Sequence, residues 1–189
     1  MLRLFTAFAL IFGLGLAAAP AEAAAADPKN TVIMNTVIME TAYGNVVIQL
    51  RPDLAPKHAE RIRVLSKRGF YNGVVFHRVI AGFMAQTGDP TGTGTGGSDL
   101  PDLPAEFTNK AKFVRGVVGM ARSSDPDSAN SQFFIMYGPT PSLDGQYTIV
   151  GEVVSGMEAI DQIKKGSEDD NGMVQGPDKI IKMHMADDK

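Results

Sequence analysis

Hydrophobic and polar positions alternate in short runs along most of the chain, the period of strands that bury one face. "TVIMETAYGNVVIQL", residues 36 to 50, reads as two such runs around a turn at Tyr43-Gly44-Asn45. "VVFHRVI" (74–80), "VRGVVGMA" (114–121), "QFFIMY" (132–137), "YTIVGEVV" (147–154) and "KIIKMHM" (179–185) add further β-runs. Two stretches keep a helical period instead. In "RPDLAPKHAERIRVLSKRG", Leu54, His58, Ile62 and Leu65 fall on one face, Asp53 is placed to cap the start, and Gly69 to end it. "MEAIDQIKK" (157–165) is the second helix. Gly88 to Pro104, rich in Gly, Thr and Pro, is a long loop, and loops of that length usually carry function or move. No internal repeat is present. Many short strands with only two helices favour a mainly β fold, an antiparallel barrel or sandwich.

The first residues follow a different pattern. "MLRLFTAFALIFGLGLAAAPAEAAAADPKN" has one basic residue, Arg3, then an apolar run from Leu4 to Ala19 that ends in small residues. That run is shorter than the roughly 20 residues needed to span a bilayer. Ala21-Glu22-Ala23 is a cleavage signal, and Ala23-Ala24-Ala25 a second. Residues 1–23 are therefore expected to be a signal peptide, with cleavage as late as residue 26. Residues 24–35 follow as a flexible N-terminal segment, and 36–186 form one folded domain outside the cytoplasm, free of the membrane after cleavage.

Composition narrows the chemistry. The 189 residues are 44% hydrophobic, enough for a real core, and carry a net charge of −3. With no basic excess, 7% aromatics and no Trp, nucleic acid is not an expected partner. The absence of Cys excludes disulfides, thiolate catalysis and Cys-ligated zinc. His58, His77 and His184 lack partners at ligand spacing, so no metal or cofactor is expected. "GTGTGG" (92–97) is not followed by the helix that a phosphate cradle needs. No G-x-S-x-G elbow supports a hydrolase built from Ser131 and His77.

Two stretches hold the remaining chemistry. In "FHRVIAGFMAQTGD" (76–89), Arg78 stands among Phe76, Val79, Ile80, Phe83 and Met84, with Gln86 eight residues on. An unpaired buried charge is costly, so Arg78 either packs around a partner or is aimed at a substrate. "ARSSDPDSANSQFF" (121–134) runs from a turn at Asp125-Pro126-Asp127 into an apolar strand, with Gln132 and Phe134 on one face.

"FHRVIAGFMAQTGD", "GVVGMARSSDPDSANSQFFI" and "LDGQYTIVGEVVSGMEAIDQI" together resemble the cyclophilin family of peptidyl-prolyl cis-trans isomerases, most closely its bacterial branch. The likeness runs from about Val37 to Met185. It implies an eight-stranded antiparallel closed β-barrel capped by two α-helices, and a folding catalyst for proline-containing polypeptides. On this resemblance the catalytic residues are Arg78, Phe83 and Gln86. Ile80, Met84, Ala121, Arg122, Gln132, Phe134, Leu143 and Tyr147 bind substrate. Tyr147 stands where animal members usually carry histidine. Ala81 and Thr87 replace a usual proline and a common glycine, and Arg122 replaces an asparagine. Ser142 occupies the place of a tryptophan that helps animal members bind cyclosporin, so weak sensitivity to that inhibitor is expected. A bacterial periplasm and a monomer are the expected location and state. A non-catalytic chaperone that grips proline segments and an unrelated secreted β-barrel are the alternatives.

Overall fold

The computed structural model describes residues 34–188. The expected signal peptide, and all but the last two residues of the 24–35 segment, lie outside them. Strands β1 (Thr36–Thr41) and β2 (Gly44–Leu50) form a hairpin, followed by helix α1 (Pro56–Lys67). Then come β3 (Arg78–Ile80), β4 (Met84–Thr87), β5 (Val117–Met120), β6 (Phe133–Met136) and β7 (Ile149–Ser155). Helix α2 (Met157–Gln162) and β8 (Lys182–Met185) complete the chain. All eight strands join one antiparallel sheet in the order β3-β4-β6-β5-β7-β2-β1-β8.

Closure of that sheet differs from expectation. The ladder is open and curled, with β3 and β8 at its two edges. The seam beside them is spanned by irregular chain: Gly73 N donates to Ile180 O, Phe76 N to Asp178 O, and Ile180 N to Val74 O. "VVFHRVI" is strand only in its second half, with Val75 making one isolated bridge to Lys179.

Alternate residues of the central strands divide between two apolar clusters. Ala85, Val118, Met120, Phe133 and Ile135 join β1, β2, Ile62 and Leu65 of α1, and Ile160 of α2, in the interior core. Met84, Val117, Phe134 and Met136 point the other way, into a second cluster with Phe113 and Ile149. Both faces of β5 and β6 are thus buried, which is why "QFFIMY" reads as a continuous apolar run rather than an alternation.

The helices also differ from expectation in detail. Asp53 does not cap α1; it is held by Arg51, whose Nε and Nη2 each donate at 2.8 Å. The helix instead starts after Ala55 with Pro56 in its first turn. Its free amides are met from afar: Lys57 N and His58 N donate to the Glu106 carboxylate, and His58 Nδ1–H donates to Glu106 Oε2 at 2.7 Å. Gly69 does end the helix, in the left-handed region at φ 66. Helix α2 stops at Gln162, short of the expected residue 165.

Candidate active site

Cross-strand register assembles the site. Arg78 faces Gln86 across β3–β4, Gln86 faces Phe134 across β4–β6, and Phe134 faces Gly119 across β6–β5. The row Arg78–Gln86–Phe134–Gly119 therefore crosses four strands on the outer face. Ile80, Met84 and Met136 form the next row, since Ile80 pairs with Met84 and Met84 with Met136. Strand β4 itself was not legible as a separate strand, because "MAQT" is short and its alternation is broken by two further buried residues, Ala85 and Thr87.

A cavity of about 120 Å³ opens on this face, lined by Arg78, Phe83, Met84, Gln86, Ala121, Arg122, Phe134, Leu143 and Tyr147. Nine of the eleven residues singled out from the sequence meet there. Ile80 packs against the apolar cluster beneath. Gln132 lines a neighbouring, larger cavity of about 540 Å³, which shares Gln86, Ala121 and Arg122 with the first.

The floor is fixed by aromatic packing. The Phe134 ring stacks on Phe113 at 5.8 Å and meets Tyr147 edge-on at 5.9 Å. Gly119 makes this possible, since a Cβ there would lie 2.4 Å from Phe134 Cζ and 2.7 Å from Phe113 Cε1. At the rim the Arg122 guanidinium lies over the Tyr147 ring at 4.5 Å and near Phe107 at 5.9 Å, while donating to Gln146 O and Ser123 O.

Arg78 is tethered by neutral groups. Its Nη1 donates to Gln86 Oε1 at 3.3 Å, its Nη2 to Asn171 Oδ1 at 2.9 Å, and its Nε to Asn171 O at 3.0 Å. None of these partners is a carboxylate, so the charge is held without being neutralised, and two of its five N–H groups are left over. Burial lowers the guanidinium from its ordinary value, with Tyr147 partly offsetting this.

A relay of amides extends the tether. Gln86 Nε2 donates to Gln132 Oε1 at 2.9 Å, and Gln132 Nε2 donates to Gly94 O and Gly96 O at 3.1 and 2.8 Å. The glycine-rich loop is itself fixed by Asp89, fully buried, which accepts from Thr91 N, Thr91 Oγ1, Gly94 N and Gly96 N. Burial alone would raise the Asp89 carboxyl, but these hydrogen bonds outweigh it and hold it at about 2. The loop amides that could suggest a phosphate cradle are thus engaged by the chain's own carboxylate. Asp89, Phe113, Gly119 and Asn171 were not identified from the sequence. Asn171-Gly172 is a turn signal, but nothing local to it points to Arg78, 93 residues away.

Comparison with known proteins gives the family. The sequence profile described as cyclophilin type peptidyl-prolyl cis-trans isomerase/CLD matches residues 36–185. A probable peptidyl-prolyl cis-trans isomerase of Brucella suis is 60% identical over 171 residues, 85% of this chain and 84% of the relative. A crystal structure of a cyclophilin from Hirschia baltica superposes with TM-score 0.73 at 28% identity, covering 83% of this chain and 76% of that one. A cyclophilin-type isomerase of Cryptosporidium parvum, crystallised in the presence of the dipeptide Ala-Pro, gives 0.72 at 30% identity, over 79% and 98%. The chain belongs to the cyclophilin-type peptidyl-prolyl cis-trans isomerases, enzymes that interconvert the cis and trans forms of X–Pro peptide bonds.

Proposed function

We propose that the chain accelerates X–Pro rotation in exported polypeptides, with Arg78 as the donor to the proline nitrogen. Rotation breaks amide resonance, a barrier of ~18–20 kcal/mol, yet the two X–Pro isomers differ by only about 0.5–1 kcal/mol. No bond to hydrogen is made or broken, so no nucleophile or general base is required. As the amide twists, the proline nitrogen recovers a lone pair. A donor aimed at it binds the twisted state better than either planar isomer, and such differential binding is what lowers a barrier.

The observation that carries this reading is an Arg78 guanidinium held by neutral partners at the edge of a small cavity whose apolar side is Phe83, Met84, Phe134 and Leu143. Phe83, Met84, Phe134 and Leu143 clasp the pyrrolidine ring, and Gln86 holds the carbonyl side. Ile80, Ala121, Arg122, Gln132 and Tyr147 support the flanking residues of the substrate. The Ala-Pro dipeptide used with the Cryptosporidium parvum protein supports a proline ligand here.

The location is part of the proposal. The N-terminal pattern of residues 1–23 supports export and cleavage, leaving a monomeric folding catalyst in the periplasm whose clients are unfolded proline-containing segments. A protease-coupled isomerisation assay on a short X–Pro peptide tests the activity. The intact mass of protein taken from the cell envelope tests the location: a start between Ala23 and Asp27 supports it. A mass retaining Met1 to Ala23 in the membrane fraction would make this an anchored enzyme.

A further inference from the structure

We propose that Asn171 is a positioning residue for the reaction, fixing the plane in which Arg78 presents its remaining donors. This rests on the reading of Arg78 as the donor to the proline nitrogen. Asn171 follows the short 3-10 turn Glu168–Asp170 and holds a left-handed backbone at φ 49, alone among the described non-glycine residues. Asparagine is one of the few side chains that tolerates this region.

That conformation turns two oxygens of one residue toward one edge of the guanidinium. The main-chain O accepts from Arg78 Nε and the side-chain Oδ1 from Nη2. A planar fork gripped at two points along one edge cannot rotate about its Cζ–Nε bond without losing a contact. The opposite side stays open toward Gln86 and the cavity.

The segment carrying Asn171 is braced against β3 on both sides of Arg78. Val79 N donates to Gly172 O at 2.7 Å, and Val174 N donates to His77 O at 3.0 Å. Met173 makes an isolated bridge to Arg78 itself. Packing is close enough that a Cβ on Gly172 would lie 2.4 Å from Ile80 Cγ1.

The choice of an amide has a chemical reason. A carboxylate at this position would hold the fork at least as firmly, but it would neutralise the charge that the twisted amide draws on. Three acidic residues, Glu168, Asp169 and Asp170, immediately precede Asn171, yet it is the amide that reaches Arg78. The residue fixes the cation and leaves it charged.

The test is Asn171→Gly, which suits the backbone and keeps the main-chain acceptor while removing Oδ1. With a saturable peptide followed by NMR exchange, kcat should fall by about tenfold with KM nearly unchanged, the scale of a slightly misplaced group. The melting temperature should hold. The Arg78 Nη resonances, separate in the parent, should broaden or merge, because the long bond from Nη1 to Gln86 Oε1 at 3.3 Å is then the one contact left to resist rotation about Cζ–Nε. Asn171→Asp should restore separate resonances but not kcat, because the cation is then paired. An unchanged kcat in Asn171→Gly, a change confined to KM, or a fall in kcat with Arg78 still fixed would each overturn the positioning role. Arg78→Ala, run alongside, separates the two readings: if it retains parent activity there is no catalytic guanidinium to position, and both fail.

Discussion

Arg78 and Gln86 stand directly opposite one another on β3 and β4, and the Arg78 Nη1–H donates to Gln86 Oε1 at 3.3 Å. This cross-strand pair places a permanent cation beside the Phe83, Met84 and Phe134 side of the cavity while engaging only one of its five donors. Because Gln86 in turn donates to Gln132, and Gln132 to the loop carbonyls of Gly94 and Gly96, the amide of Gln86 has one sensible orientation. Its oxygen faces Arg78.

Arg78→Ala is expected to fold and to lose activity by about 10²–10³-fold, the effect of removing one preorganised donor. Arg78→Lys should be nearly as poor. An ammonium cannot satisfy Gln86 and both Asn171 oxygens in one plane while leaving a donor for substrate. Turnover of a short proline peptide by the lysine variant at close to the parent rate would remove the donor role.

Gly119→Ala probes the cavity floor. The added methyl meets the Phe134 and Phe113 rings at 2.4 and 2.7 Å, and both belong to a buried cluster with little room to move. Overpacking of this kind costs about 1–3 kcal/mol in stability. Phe134 is expected to tilt into the cavity, so turnover should drop further than stability alone explains. A variant that melts lower but isomerises at the parent rate at 10 °C would show that the ring's placement does not matter.

Acid stability should fall in two stages. Burial lowers the pKa of His58 and of His77, with Glu106 and Asp89 respectively opposing it in part, so the folded chain takes up these protons less readily than the unfolded one. The unfolded chain takes up those protons below about pH 6.5, so stability drops as pH falls through that range. Asp89 works at lower pH: held at about 2 when folded, it contributes about 2 kcal/mol above pH ~4, lost as pH falls toward 2. Urea midpoints from pH 8 to 3 should show both stages in the parent and only the upper one in Asp89→Asn. A flat midpoint between pH 7 and 5 would mean that folding does not lower the histidine pKa values.

Ser142 lies exposed in the 3-10 turn Pro141–Leu143, next to Leu143 of the cavity wall. Serine lacks both the apolar area and the N–H reach of a tryptophan. A lost aromatic contact of hot-spot size is worth roughly 2 kcal/mol, more than tenfold in affinity. Ser142→Trp should therefore raise cyclosporin sensitivity sharply while turnover of a small peptide changes little. Inhibition that stays where it was would place Ser142 away from the inhibitor's rim.

Glu106→Ala removes a helix cap supplied from 48 residues away and leaves His58 Nδ1 buried without its acceptor. A lost cap costs about 1 kcal/mol, and an orphaned buried donor adds about 1–3 kcal/mol. Calorimetry should show a fall in melting temperature larger than that of Asp53→Ala, which touches no helix amide. Equal effects of the two would mean that Asp53 caps α1 after all.

Local chemistry alone set a good deal of this protein. Period-two alternation in "TVIMETAYGNVVIQL" defined a hairpin whose buried faces are Val37, Met39, Val46 and Ile48, because strand side chains alternate whatever the partner. Gly69 ended α1 because glycine carries no Cβ to resist a left-handed turn. Residue types likewise marked Arg78, Gln86 and Phe134 as candidates, since a cation and an amide among apolar residues need a reason to be there. Other features belong to register and distance, which no local pattern encodes. The row Arg78–Gln86–Phe134–Gly119 exists because four strands from three separate stretches align. The cap of α1 comes from Glu106 rather than Asp53, because the nearer carboxylate is taken by Arg51. The sheet stays open at β3 and β8, and the seam beside them is spanned by irregular chain. The grip on Arg78 depends on Asn171, brought across 93 residues by hydrogen bonds from a loop to the outer edge of β3. Side-chain chemistry could single out Arg78; only the folded backbone sets where its guanidinium lies.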